Sequence, residues 1–203
     1  MKERVVTASI LILLLGICLS RGILFPPVLL IFILLSWEIF AREPFNRWSF
    51  IAWFQAWGIM AAADMNPKEI GFLAIVVIVN DSAAYFGGRY FNTPMWQVPI
   101  FPKTSPKKTW GGFFYGVLFA QFAAVLFNAI YPVIKDAAFA GISIALLGVA
   151  GDWLESKFKR SHSIKDSGEG LFTAKLLKGH GGVYDRFDAA SLAIWGWVLF
   201  FKT

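Results

Sequence analysis

The sequence has little charge, one cysteine and two histidines. Charged residues make up 16% of its 203 residues, against about 25% in a typical soluble domain. The single cysteine, Cys18, cannot form an internal disulfide. The two histidines, His162 and His180, do not have the spacing of a zinc site, and the Gly-x-Ser-x-Gly motif is absent. These absences exclude a disulfide-stabilised secreted domain, a zinc site of the usual spacing and a hydrolase with that serine motif.

Apolar residues dominate the chain instead. They make up 57% of it, and the mean hydropathy is +0.60. This composition is typical of a membrane protein, whose spans must be helices because lipid offers no partner to open backbone groups. We therefore predict an all-α membrane bundle of about seven spans in one domain, 1–203, with N-terminal spans over about 1–69. The predicted spans are about 5–20, 22–40, 48–63, 70–86, 111–131, 137–153 and 188–201.

The lysines and arginines are distributed unequally between the two sides of this predicted bundle. If the N-terminus is cytoplasmic, all but four of the 19 lie on the cytoplasmic side, as the positive-inside rule requires. The four exceptions are Arg21, Lys68, Lys135 and Lys202. Topology thus accounts for the net charge of +6. Because no basic stripe alternates with exposed aromatic residues, we expect no nucleic-acid partner.

Two predicted cytoplasmic loops are unusually long, about 87–110 and about 154–187. The polar core of the first contains Ser105, Lys107, Lys108 and Thr109. Hydroxyl groups, ammonium groups and backbone N–H groups just before a helix suit a polyphosphate ligand. The alternative at this point is an ordinary basic loop that touches anionic lipid head groups.

The second long loop lies between two pairs of acidic residues. Asp152 and Glu155 are three residues apart, as are Asp185 and Asp188, so each pair lies on one face of a helix end. Magnesium prefers oxygen ligands and is often held by one or two carboxylates together with substrate phosphates. The spacing therefore indicates a divalent-cation site, with a second cation as an option, beside a basic and glycine-rich loop.

Asp81 is a further acidic candidate because it stands inside an apolar run. Ionisable side chains at such depth are costly and are usually functional or paired. A structural ion pair with Arg89 is the alternative interpretation. His180, a lone histidine between glycines, is a weaker candidate, and we expect His162 to be solvated.

These polar segments resemble three motifs of the phosphatidate cytidylyltransferase family, also called CDP-diacylglycerol synthases. The C-terminal signature of that family runs Ser-x-x-Lys-Arg, then four residues, Lys-Asp, and later His-Gly-Gly-x-x-Asp-Arg-x-Asp. In this sequence it begins at Ser156, reaches Lys165 and ends over 180–188. Segments 81–85 and 105–110 resemble two further motifs of the family.

The resemblance implies an enzyme that makes CDP-diacylglycerol and pyrophosphate from CTP and phosphatidic acid, with Mg²⁺, in the cytoplasmic membrane of a bacterium. It implies a catalytic part over about 70–203 and an active site at the cytoplasmic face. The catalytic residues implied are Asp152, Asp185, Asp188 and Lys165. The metal ligands implied are Asp152 and Asp185, with Asp81, Glu155 and Asp188 as further candidates.

The resemblance also implies which residues bind the substrates. The residues for the CTP phosphates and the nucleotide are Ser105, Lys107, Lys108, Thr109, His180, Gly181 and Gly182. The residues for pyrophosphate or the lipid phosphate are Arg160, Lys165 and Arg186.

Several alternatives stay open at this stage. The stretch between Asp166 and His180 is longer than in the family signature, so the extra length either reshapes the mouth of the site or is inert. A cytidylyltransferase for another lipid phosphate, similar to CDP-archaeol synthases, is the alternative enzyme. An ion-coupled transporter is the alternative from a different class. A homodimer is an open possibility for the assembly.

Overall fold

The computed structural model describes residues 16–18, 20–90, 96–173 and 181–202. Most of these residues form helices. The helices are α1 (Phe25–Phe40), α2 (Arg47–Ala56), a 3₁₀ helix (Trp57–Asp64), α3 (Pro67–Tyr90), α4 (Trp110–Ile130), α5 (Ala137–Ser161) and α6 (Tyr184–Phe200). Two short strands, β1 (Pro99–Phe101) and β2 (Ser105–Thr109), precede α4. The predicted all-α class is confirmed, with this one small sheet added.

The helices follow the predicted apolar runs closely. Three of them, α3, α4 and α5, are long and apolar enough to cross a membrane, and α1 is a shorter apolar helix. The run predicted at about 5–20 lies almost wholly outside the described residues. The chain is therefore described as a membrane protein with three candidate spans in its described part, and the total of seven stays a prediction.

Two helices continue past the points where loops were predicted to begin. Helix α3 extends to Tyr90 and α5 extends to Ser161, although the loops were predicted from about 87 and about 154. Hydropathy marks where the apolar residues end, whereas a helix continues as long as its backbone hydrogen bonds do. Asp152 and Glu155 therefore lie within α5 and not at its end.

The basic segment before α4 is a β-hairpin, which the sequence did not predict. β1 and β2 pair antiparallel, with Pro99 opposite Thr109 and Phe101 opposite Ser105. The Thr109 hydroxyl then accepts the backbone N–H of Gly112 at 3.2 Å and caps the N-terminus of α4. The hairpin thus leads directly into a helix start.

Small residues allow the helices to approach closely around this end of the bundle. A Cβ atom on Gly112 would lie 2.6 Å from the Ala84 carbonyl oxygen, and one on Gly116 would lie 2.8 Å from Asn80 Oδ1. Gly151 brings α5 against α6 in the same way. Close backbone packing at small residues is the usual means of helix association in membranes. It places the polar ends of α3, α5 and α6 side by side.

Candidate active site

A cavity of about 320 Å³ opens between α3, α4, α5 and the hairpin. The polar residues that line it are Asn80, Asp81, Tyr85, Ser105, Lys107, Lys108, Thr109 and Asp152. They come from three separate stretches of the sequence. The fold thus brings Asp81, the two hairpin lysines and Asp152 together around one cavity.

Lys108 and Asp152 form an ion pair at this cavity. Their side chains are 34% and 20% exposed, so both remain accessible. Asp81 lies close enough to interact electrostatically with both of them. Arg89 donates to the Tyr85 hydroxyl at 2.8 Å. In the described part of the chain it forms no ion pair with Asp81, so the alternative interpretation of Asp81 as the partner of Arg89 was wrong.

Carboxyl groups from α5 and α6 meet in two pairs. The side chain of Asp152 contacts that of Asp188, and the side chain of Glu155 contacts that of Asp185. Because the helices run antiparallel and the residues of each helix are three apart, the pairs lie about one turn from each other. Asp152 and Asp185, both predicted as metal ligands, each have an acidic partner on the opposite helix.

Lys159 neutralises part of the second acidic pair. Its Nζ lies 2.5 Å from Glu155 Oε1 and 2.9 Å from Asp185 Oδ1. All three side chains are largely buried. Lys159 belongs to the C-terminal signature but was not predicted to be a site residue; in the structure its ammonium group bridges two acids.

The Asp185 carboxylate also binds the backbone of the loop that precedes α6. Its Oδ2 accepts the backbone N–H of Ser167 at 2.9 Å and that of Gly182 at 2.6 Å. Gly182 leaves no room for a Cβ atom, which would collide with Ser167 Oγ, and Gly181 has a φ of +79°. Both glycines were expected to bind the nucleotide; in the structure Gly182 approaches the loop at Ser167, and Gly181 approaches the Asp185 side chain of α6.

The turn that follows α5 is held from two sides. The Glu169 carboxylate accepts the backbone N–H of Lys165 at 2.9 Å, and this hydrogen bond lowers the pKa of Glu169. Arg42 donates to the carbonyl oxygens of Ser167 at 2.5 Å and of Glu169 at 2.6 Å. The first residues of the extra stretch before His180 therefore belong to a loop that is fixed by hydrogen bonds to Arg42 and within the loop itself.

Of the predicted binding residues in the described part of the C-terminal signature, none lines the cavity. Arg160 donates to the carbonyl oxygen of Thr104 at 3.4 Å and so joins the end of α5 to the hairpin turn. Lys165 and Arg186 are exposed. His180 lies outside the described residues.

His162 is not simply solvated, and that prediction was wrong. Its Nδ1 lies 2.9 Å from the Phe158 carbonyl oxygen, and its Nε2 lies 3.1 Å from Ser49 Oγ. The ring also packs against the Phe158 ring, with 4.6 Å between the centroids. His162 directly follows α5, so its ring hydrogen-bonds both to the last turn of α5 and to Ser49 of α2.

Three polar residues near the site were not singled out from the sequence. Asn80 is 2% exposed and lines the cavity. Gln55, buried in α2, donates to the Asp188 carbonyl oxygen at 2.6 Å. Glu38 is buried in α1 against the start of α6. Each lies in a largely apolar helix. A polar residue inside an apolar run is the pattern that identified Asp81, and it could have identified these three as well.

The donor set at Asp152 suits a magnesium ion. Among the described residues, no three His, Cys, Asp or Glu side chains form a ready metal cage. Asp152 nevertheless has Asp188 and Asp81 as like-charged neighbours, and Lys108 is the cation paired with it. Magnesium commonly takes one or two carboxylates and completes its shell with water and phosphate oxygens. Asp152 and Asp188, with Asp81 nearby, are the residues that would hold it.

Comparisons with known proteins identify the family of the chain. The profile described as "Cytidylyltransferase family" matches residues 45–203. The phosphatidate cytidylyltransferase of Aquifex aeolicus is 30% identical over 171 residues, which cover 82% of this chain and 61% of the relative. That of Rickettsia typhi is 39% identical over 142 residues, covering 66% and 58%. That of Haemophilus influenzae is 35% identical over 130 residues, covering 61% and 42%.

The chain therefore spans about three fifths or less of the length of these relatives. The profile match includes all the cavity-lining residues and both acidic pairs. On this evidence the chain belongs to the cytidylyltransferase family.

Proposed function

We propose that the chain is a membrane nucleotidyltransferase that makes CDP-diacylglycerol and pyrophosphate from CTP and phosphatidic acid. The observation that carries the proposal is the cavity where Lys107 and Lys108 meet Asp81 and Asp152. Ammonium and carboxylate groups so placed suit two phosphorylated substrates and a divalent cation. The names of the relatives support the choice of substrates. The positive-inside distribution supports a site on the cytoplasmic face of a bacterial inner membrane.

The reaction needs charge neutralisation more than it needs proton transfer. The phosphate monoester of phosphatidic acid is largely ionised near neutral pH and requires no strong base. One of its oxygens attacks the α-phosphorus of CTP, and the bond from that phosphorus to the oxygen of the β-phosphate breaks, releasing pyrophosphate. Two like unit charges 4 Å apart repel by about 4 kcal/mol at an effective dielectric constant of 20. Several such pairs meet when the two substrates approach.

The residues of the cavity divide this task between them. Lys107 and Lys108 bind the phosphates of CTP, assisted by the hydroxyls of Ser105 and Thr109. Magnesium, when bound, supplies positive charge to the reacting phosphates. Asp152 and its neighbours would hold that ion in place, and the pair of Asp185 and Glu155 orients the adjoining turns of α5 and α6. The residues proposed for pyrophosphate, the lipid phosphate and the nucleotide stay Arg160, Lys165, Arg186, His180, Gly181 and Gly182.

The lipid reaches the cavity from its apolar side. Tyr85 and Phe113 line the cavity, and Tyr85 is 57% exposed on the outer surface of the bundle. Phe86 and Phe114 extend this apolar surface on α3 and α4. The acyl chains can therefore stay in the bilayer, which avoids a cost of about 0.8 kcal/mol for each CH₂ group removed from it.

Replacing Lys107 by alanine is expected to raise the KM for CTP about tenfold, because one charge-assisted contact to phosphate is lost. The side chain is exposed and lines the cavity, so the fold should be unaffected. Steady-state rates over a range of CTP concentrations measure the change. Lys103→Ala is the matched control, since Lys103 is exposed in the same hairpin but does not line the cavity. Equal KM values for both variants would reassign Lys107 to lipid contact or structure.

Pyrophosphate release from membranes that contain the full chain tests the proposal. Release should require CTP, phosphatidic acid and Mg²⁺ together. Replacing phosphatidic acid by the phosphate of an ether-linked isoprenoid glycerol tests the alternative lipid, and preference for that compound would favour it. A transporter would show no release of pyrophosphate. Its acids should follow a path through the spans, whereas Asp81, Asp152 and Asp188 lie close together beside the lysines of the hairpin.

A further inference from the structure

We infer that Glu38 of α1 is a positioning residue that fixes the helix end carrying Asp185 and Asp188. Glu38 is 0% exposed. Its Oε1 accepts the backbone N–H of Val183 at 2.8 Å, and its Oε2 accepts that of Tyr184 at 2.9 Å. A carboxylate from a distant helix thus binds the start of α6.

These contacts replace the cap that α6 does not have. The first N–H groups of a helix have no partner within the helix, and Val183, which precedes α6, has no polar side chain with which to bind them. A carboxylate is also favoured at a helix N-terminus because the helix dipole is positive there. Glu38 supplies both the hydrogen-bond acceptor and the negative charge.

Ser167 connects Glu38 to the acidic pairs. Its hydroxyl lies 2.8 Å from Glu38 Oε2 and 3.2 Å from Asp185 Oδ2, and its backbone N–H donates to the same Asp185 oxygen. Arg42, one turn after Glu38, donates to the Ser167 carbonyl oxygen. Glu38 of α1 and Arg42, just after the end of α1, therefore both hold Ser167, and Ser167 in turn binds Asp185.

This inference goes beyond the family match, which begins at residue 45 and so leaves out both Glu38 and Arg42. It gives α1 a role in the geometry of the site in addition to its place in the membrane. Its effect on rate rests on the proposed function, whereas its effect on the start of α6 does not.

The test compares Glu38→Gln with wild type in the purified full chain. The amide keeps the size of the side chain but places an NH₂ group against backbone N–H donors, so at least one of them loses its acceptor. Hydrogen–deuterium exchange of the peptide over 181–188 is expected to quicken about tenfold, with exchange in α4 unchanged. The kcat for CTP-dependent lipid formation is expected to fall at least about tenfold, as for other residues that orient a metal site, with the KM for CTP unchanged.

Two further variants complete the test. Glu38→Asp keeps the charge and should recover part of the exchange protection and part of kcat. Glu43→Gln, at an exposed acid just after α1, should behave as wild type in both measurements. Wild-type exchange over 181–188 in Glu38→Gln would overturn the inference, and so would exchange that quickens equally in every helix. If wild type itself makes no lipid product, the proposed function fails, and the exchange data alone decide the role of Glu38.

Discussion

Asn in place of Asp152 is expected to lower the rate of CTP-dependent lipid formation by at least about 10²- to 10³-fold, the usual cost of removing one charge that acts on the reacting groups. Asp152 lines the cavity, forms an ion pair with Lys108 and contacts the side chain of Asp188. The variant keeps the size of the side chain but lacks the negative charge that would hold a divalent cation. Lys108 also loses its ionic partner. Initial rates at saturating CTP, normalised to the amount of folded protein in the membrane, measure the effect.

Asp64→Asn is the matched control for this variant. Asp64 is exposed at the end of the 3₁₀ helix, just before the start of α3, whereas the cavity lies near the other end of that helix. Its replacement should leave the rate unchanged. Near-normal turnover in Asp152→Asn at a normal protein level would remove the metal-site assignment. A similar loss in Asp64→Asn would show that the assay reports membrane insertion and not chemistry.

Methionine in place of Lys159 is expected to lower the free energy of unfolding by about 3–5 kcal/mol, because it leaves buried acids without their cation. The Lys159 ammonium is within 3 Å of both Glu155 and Asp185. Methionine fills much of the same volume, so the loss of charge dominates the effect. Thermal unfolding of the purified chain in detergent measures it as a lower Tm.

Two variants separate this charge effect from a loss of packing. Combining Lys159→Met with Glu155→Gln removes one of the two unpaired acids and should restore part of the Tm. Lys157→Met removes a lysine from the same helix whose Nζ lies over the rings of Trp48 and Trp153. Such cation–π contacts contribute about 0.5–1 kcal/mol at exposed sites, so its effect should be small. Equal Tm values for Lys159→Met and wild type would contradict the role given to Lys159.

Much of the fold could be predicted from hydropathy. The apolar runs at about 22–40 and 111–131 correspond to α1 and α4, and the isolated acid Asp81 lines the cavity together with Lys107, Lys108 and Asp152. The motif of Lys107 and Lys108 also proved to be next to Asp152, although Lys108 and Asp152 are 44 positions apart in the sequence. Residue types in a signature indicate shared chemistry even when the sequence does not show how the segments meet.

The features that could not be predicted depend on packing between helices. Asp152 meets Asp188, and Glu155 meets Asp185, because of the register between α5 and α6, which is set where Gly151 allows close contact. The sequence shows the spacing within each helix but not that register. Glu38 is a comparable case, because its acceptor role exists only where α1 meets the start of α6.

The most direct measurement is the transfer of label from CTP into lipid. Membranes with the full chain receive phosphatidic acid and CTP labelled in the cytidine, with and without Mg²⁺, and the chloroform-soluble fraction is counted. We expect labelled lipid only when phosphatidic acid and Mg²⁺ are both present, with one pyrophosphate released for each label incorporated. Incorporation by Asp152→Asn should be at least about 10²-fold lower. Label that stays in the aqueous phase with active wild-type membranes, or incorporation that Asp152→Asn does not reduce, would contradict the assignment of this cavity.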